Sequence, residues 1–247
     1  MLFAIGAGDA VVGVSSFDHY PPAVETRPRV GALIDPDFEK ILSLRPDLVV
    51  VYGTQTDFKA RLERAGIPTF NYVHAGLADV MTTIRALGVR VGHAEQANRE
   101  ADRISSALAA IRASNAGKPR LRTALVFNRD AGSLRGIFVA GGTGFLSDML
   151  DVAGGANVFA DVHQSSVQAS TETLIARAPD VILEMRPNEG WSPARVRQEI
   201  DVWKGLPALP AVRNGRVHIL TDDKLLVPGP RVAEAVRLMA DAIKQEN

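Results

Sequence analysis

His19, His74 and His163 are the residues in this chain best placed to hold a metal, because imidazole ligates haem iron and other transition metals. Their spacing matches no zinc pattern, and a lone loop histidine is ordinarily a hydrogen-bonded surface residue. The chain has no cysteine, which excludes disulfides, thiolate zinc sites, iron–sulfur ligation and cysteine nucleophiles. Gly141-Gly142-Thr143-Gly144 follows a strand-like run and opens a helix-like one, an arrangement that can cradle phosphate. It lacks the Lys-Ser/Thr of a P-loop and the spacing of a dinucleotide fingerprint, so a plain glycine turn is the better reading. No serine sits within Gly-x-Ser-x-Gly, and Asp18-His19 and Asp222-Asp223 are loop neighbours rather than catalytic sets. An α/β enzyme with an active site between two lobes stands as a rival class, but the residues favour a binder over an enzyme.

The residues suited to binding are aromatic and basic. Phe17, Tyr20, Tyr52 and Trp191 offer large apolar contact with little entropy to lose. Tyr20 reads equally well as a structural residue wedged against Pro21 and Pro22. Trp203 lies in a helical stretch before Leu206-Pro207 and is read as core. Arg129, Arg135 and Arg186 are the bases that could meet acidic groups of a ligand, a surface role being the ordinary reading of each.

These residues need elements to carry them, and the chain spells one such element twice. Asp37–Val50 aligns with Ser170–Leu183: a cap residue, a Glu in the first turn, two apolar positions, Pro-Asp and a buried strand. Asp37 and Ser170 can accept from free N–H groups at a helix start. Glu39 and Glu172 complement the helix dipole. Pro46 and Pro179 must stop both helices. A duplicated helix–strand unit implies two similar lobes. A weaker echo pairs Met1–Gly8 with Met149–Ala156, each a helix ending in a glycine C-cap. The second copy follows the apolar run Thr123–Phe127 and the first follows nothing, so an opening strand is expected to be missing.

Strand-like runs at Val11–Val14, Leu48–Tyr52 and Ile67–Val73 alternate with helix-like ones in the first lobe, taken as residues 1–76. The second lobe, residues 119–247, repeats the pattern with strands near 123–127, 137–140, 181–185 and 216–220. The fold class is therefore α/β, two Rossmann-like lobes with parallel-type sheets. Between them, residues 77–118 read as connecting helices: Leu77–Leu87 closed by Gly88, then His93–Ser114 with one apolar stripe of Ala97, Ala101, Ile104, Leu108 and Ile111. At about 1.5 Å per residue the second helix is a rod of roughly 33 Å, long enough to link two lobes. Open α/β sheets bind ligands at loops beyond the strand ends. Those loops are Ser15–Tyr20, Tyr52–Gln55, His74 and its neighbours, Asn128–Arg135, Met185–Trp191 and Thr221–Val227.

Composition narrows the partners. The 28 acids balance 28 Lys and Arg for a formal net charge of +0, which argues against nucleic acid. No run approaches the roughly 18 apolar residues of a membrane span, so no direct membrane insertion is expected. Met1–Val14 lacks the positive start and small-residue cleavage site of a signal peptide.

Val12-Gly13-Val14-Ser15-Ser16 with Tyr20-Pro21-Pro22, Gly31 followed by Asp37–Val50, Leu150–Phe159, Glu172–Ile182 and Gly229-Pro230-Arg231 together resemble the class III, helical-backbone substrate-binding proteins of ABC importers. That family serves vitamin B12, ferric siderophores and haem. The resemblance implies a periplasmic or extracytoplasmic monomer that captures a small-molecule ligand and delivers it to ABC permease subunits. It also implies that Glu39 and Glu172 dock onto permease arginines, whereas sequence physics alone reads them as dipole complements. The ligand-binding set it suggests is Phe17, Tyr20, Tyr52, His74, Arg135 and Trp191. A corrinoid ranks first as ligand, ahead of ferric siderophore or haem, with no resident cofactor or metal.

Overall fold

The computed structural model describes residues 1–73, 75–187 and 190–245. The chain divides into two compact units. One comprises Met1–Val73 with Thr82–Ala101, and the other the described part of His74–Met81 with Asp102–Asn247.

The first unit opens with a short 3-10 turn, Leu2–Ile5, capped by Gly6 at φ 83. Val11–Val14 is not a strand. Val14 makes only an isolated parallel bridge to Arg29. The Val30 carbonyl, which a continuing ladder would need, instead accepts from Asp37 N–H at 3.0 Å. Helix α1 (Phe38–Ser43), strand β1 (Val49–Tyr52), helix α2 (Thr56–Arg64) and strand β2 (Thr69–Tyr72) follow. β1 and β2 pair in parallel, Val49 opposite Thr69 and Tyr52 opposite Tyr72. Ile41, Val51, Leu62 and Ile67 form the core beneath them.

Helix α3 spans Leu77–Arg90 and helix α4 spans Ala94–Asn115. Gly88 does not end α3, as its position suggested, but lies inside it. A Cβ on Gly88 would come within 2.1 Å of the Ala97 Cβ, so glycine is there to admit α4 rather than to break α3. The stripe of α4 is buried along its length, from Ala97 at 0% exposed to Ile111 at 5%. Its first turns, Ala94–Ala101, group with the first unit and the remainder with the second.

The second unit is built on strands β3 (Arg122–Asn128), β4 (Phe138–Ala140), β5 (Ala156–Asn157), β6 (Ser166–Gln168), β7 (Val181–Arg186) and β8 (Val217–Thr221). Helices α5 (Phe145–Ala153), α6 (Thr171–Arg177), α7 (Pro193–Trp203), α8 (Pro210–Arg213) and α9 (Val232–Lys244) accompany them. The sheet runs in the order β6-β4-β3-β7-β8, with β5 beside β3. β3, β7 and β8 are parallel as expected. β4 runs antiparallel to β3, and β6 antiparallel to β4. The short loop after β3 explains the reversal, since a parallel return needs a crossover of a dozen or more residues. Phe159, Leu174, Ile182 and Trp203 anchor one core cluster, and α9 contributes Val232, Val236 and Met239, each 0% exposed.

The duplicated element has the same local geometry in both units. The Asp37 side chain accepts from Lys40 N–H at 2.9 Å, and Ser170 Oγ from Thr173 N–H at 3.1 Å. Each helix stops before its proline by a turn into the left-handed region, at Arg45 (φ 48) and Ala178 (φ 43). Proline was expected to push its predecessor into extended backbone. Instead the left-handed residue returns its N–H to the helix's last carbonyls, Arg45 to Leu42 at 3.0 Å and Ala178 to Leu174 at 3.0 Å.

Candidate ligand-binding site

In the first unit, one arginine shapes the loop that presents the aromatics. Arg29 Nη1 donates to the Ser15 carbonyl at 3.0 Å and also to the Asp18 carbonyl, while Nη2 pairs with Glu25 at 2.7 Å. Asp18 closes the loop by accepting from Ser15 N–H at 3.0 Å. The Arg29 hydrogen bond, with help from His19, holds the Glu25 carboxyl below its ordinary pKa. So braced, the loop leaves Phe17 75% and Tyr20 57% exposed. Exposed aromatics held on a pinned loop present apolar surface without the entropy cost of ordering it.

At the ends of β1 and β2, Tyr52 and Tyr72 meet edge to face with centroids 5.3 Å apart. Burial, then the charge of Asp18 and the Tyr52 phenol, raise the Tyr72 pKa, so this phenol stays protonated and neutral. Gln55 locks the adjoining turn, accepting from Tyr52 N–H at 3.1 Å and donating to the Leu33 carbonyl at 2.8 Å. His74 lies outside the described residues.

The second unit corrects the reading of Arg129 as a surface residue. Its side chain is 0% exposed and pairs with Glu184 at 2.9 Å and Glu199 at 2.8 Å. Glu184, also 0% exposed, takes Arg186 at 2.7 Å on its other oxygen and Trp203 Nε1–H at 2.8 Å. Trp203 is core, as expected. Two guanidiniums thus face two carboxylates with no net charge, the condition under which charges tolerate burial. The network ties the end of β7 to the loop after β3 and to α7. Sequence reasoning missed Glu184 and Glu199, although a carboxylate inside the apolar run Val181–Met185 is itself a signal of a buried partner. Arg135 is exposed on the turn after β3, where its carbonyl accepts from Asp130 N–H at 3.0 Å. Trp191 lies half-buried ahead of α7, with the Arg195 guanidinium 4.6 Å from its ring.

Three N–H groups of the glycine turn are already committed to the backbone. Gly141 N–H donates to Ser165, Gly142 to Val162 and Thr143 to Gln164, all backbone carbonyls. Among the described residues no group of three or more His, Cys, Asp or Glu could hold a metal ion. His19 bonds Glu25 at 3.3 Å, and His163 is exposed. Glu39 and Glu172 are both exposed in the first turns of α1 and α6. Backbone hydrogen bonding at the start of α6, then the Ser170 hydroxyl, hold Glu172 below its ordinary pKa.

Residues 1–224 match the family described as periplasmic binding protein. The chain belongs to that family. This binding protein is 28% identical over 246 residues to a vitamin B12-binding protein of Salmonella typhimurium, covering 99% of this chain and 86% of the relative. Two solved structures share its fold at comparable identity. The periplasmic heme-binding protein RhuT from Roseiflexus sp. RS-1 has a TM-score of 0.82 and 27% identity, over 98% of this chain and 92% of that one. The periplasmic vitamin B12-binding protein BtuF of Vibrio cholerae has a TM-score of 0.81 and 26% identity, over 98% and 91%. The family places this binding protein among the substrate-binding components of ABC importers, with a small-molecule ligand and permease partners, and not among enzymes. Among the described residues no helix is long and apolar enough to cross a membrane.

Proposed function

We propose that this binding protein captures a corrinoid and delivers it to its permease, one ligand per monomeric chain. The carrying observation is the aromatic surface of the first unit. Phe17 and Tyr20 stand exposed on a pinned loop, and Tyr52 and Tyr72 pair beside it. A corrin ring is broad, partly apolar and rimmed with amides, so it asks for aromatic contact and neutral hydrogen-bonding groups. The kinship with B12-binding relatives supports the same reading.

Delivery rests on Glu39 and Glu172, exposed at equivalent places in the duplicated element. Facing permease arginines, they set register and approach more than raw affinity. Arg135, and His74 with it, complete the proposed ligand set as polar contacts.

Isothermal titration with cyanocobalamin, haemin and a ferric siderophore panel tests the ligand. Micromolar or tighter binding of cyanocobalamin at one per chain supports the proposal. Binding of haemin alone transfers the same surface to a different flat ring and overturns the corrinoid assignment.

A further inference from the structure

We infer that Asp18 is a specificity-determining residue of the first unit's aromatic surface, favouring a ring rimmed with amides over one rimmed with carboxylates. The inference rests on the ring-capture reading above and adds the chemistry that the ring's edge must carry.

Asp18 stands exposed on the loop between Phe17 and Tyr20 and is tied down at three points. Its carbonyl accepts from Arg29 Nη1, its Oδ2 accepts from Ser15 N–H at 3.0 Å, and its N–H donates to the Ser15 carbonyl at 3.1 Å. Phe17 N–H tightens the same turn by donating to Ser15 Oγ at 3.3 Å. The carboxylate is thereby placed before any ligand arrives, rather than free to swing away from one.

Charge on this loop does not cancel. Arg29 spends its charge on Glu25 at 2.7 Å, and His19 also bonds Glu25, at 3.3 Å. Among the described residues no cation pairs with the Asp18 carboxylate, and its Oδ1 accepts no hydrogen bond. The negative charge reaches the tyrosines at the strand ends, being, after burial, the next cause of the raised Tyr72 pKa. A carboxylate on the edge of a ring resting on Phe17 or Tyr20 would meet this charge at short range and be repelled. A peripheral amide meets no such penalty and can donate its N–H to the open Oδ1, a charge-assisted bond. One side chain thus discriminates through an unfavourable contact as well as a favourable one.

The test compares each ring with a partner that differs only in edge carboxylates: haemin with its dimethyl ester, and cyanocobalamin with its monocarboxylic acids, made by hydrolysing one peripheral amide. Titrations at about pH 8, where an ordinary histidine is neutral, would use the wild type and Asp18→Asn, whose amide oxygen can still accept from Ser15 N–H and keep the turn. For whichever ring binds, the wild type should prefer the ester or amide member. Asp18→Asn should narrow that preference about threefold to fivefold, in the corrinoid arm for at least one acid isomer. The narrowing should shrink in about 0.5 M salt, as a screened charge interaction must and a lost packing contact would not. An unchanged preference in Asp18→Asn, or a change that persists undiminished in high salt, overturns the role of Asp18 and leaves ring capture standing. Failure of both cyanocobalamin and the haemin ester to bind the wild type overturns ring capture itself, and this inference with it.

Discussion

Arg129 Nε and Glu184 Oε2 lie 2.9 Å apart with both side chains at 0% exposure, and the Glu199 carbonyl and the Trp203 Nε1–H are further partners of the pair. Such a pair is worth little against a well-packed apolar replacement, but removal of one charge strands the other. Glu184→Gln keeps the shape, leaves Arg129 with Glu199 and takes from Arg186 the carboxylate it pairs with. Urea denaturation should show a loss of about 3 kcal/mol. A loss below about 1 kcal/mol would mean that water, not Glu184, compensates these guanidiniums.

Gly88→Ala should also destabilise, against helix propensity. Alanine favours a helix by about 1 kcal/mol over glycine, yet its methyl would sit 2.1 Å from the Ala97 Cβ and 3.0 Å from the His93 carbonyl. Overpacking of this kind costs about 1–3 kcal/mol. The double variant Gly88→Ala/Ala97→Gly should recover part of the loss, a coupling expected only of residues in contact. Additive effects in that cycle would refute the close approach.

His218, on β8 and 7% exposed, should make stability fall in mild acid. Burial, then the Arg216 charge, lowers its pKa from the ordinary 6.5. Below about 6.5 the unfolded chain therefore binds a proton that the folded chain refuses, and unfolding is favoured as pH drops toward the folded value. Unfolding free energies measured from pH 7.5 to 5 should decline more steeply in the wild type than in His218→Gln. Parallel curves would remove His218 from the acid response.

Glu39→Ala with Glu172→Ala should abolish ligand-stimulated transport in a reconstituted importer while leaving ligand affinity unchanged. Because Glu172 is held below its ordinary pKa, its charge persists as pH falls through the usual carboxylate range. Transport dependence on Glu172 should accordingly survive in mildly acidic medium. An equal loss of ligand affinity in the double variant would assign these carboxylates to ligand binding instead.

Sequence alone determined what is local or periodic. The caps at Asp37 and Ser170, the stripe of α4, the parallel strands β3, β7 and β8 and the burial of Trp203 each follow from residue spacing, burial pattern or a capping side chain. Tertiary structure decided what depends on partners outside a residue's own element. Gly88 reads as a helix end until Ala97 is packed against it. Val11–Val14 reads as a strand until Asp37 takes the Val30 carbonyl. Arg129 reads as a surface cation until Glu184 and Glu199 arrive from β7 and α7. The physical reason is common to all three: a propensity is a property of neighbours in sequence, whereas a steric limit, a claimed hydrogen-bond acceptor or a buried counter-charge exists only once the chain has folded back on itself.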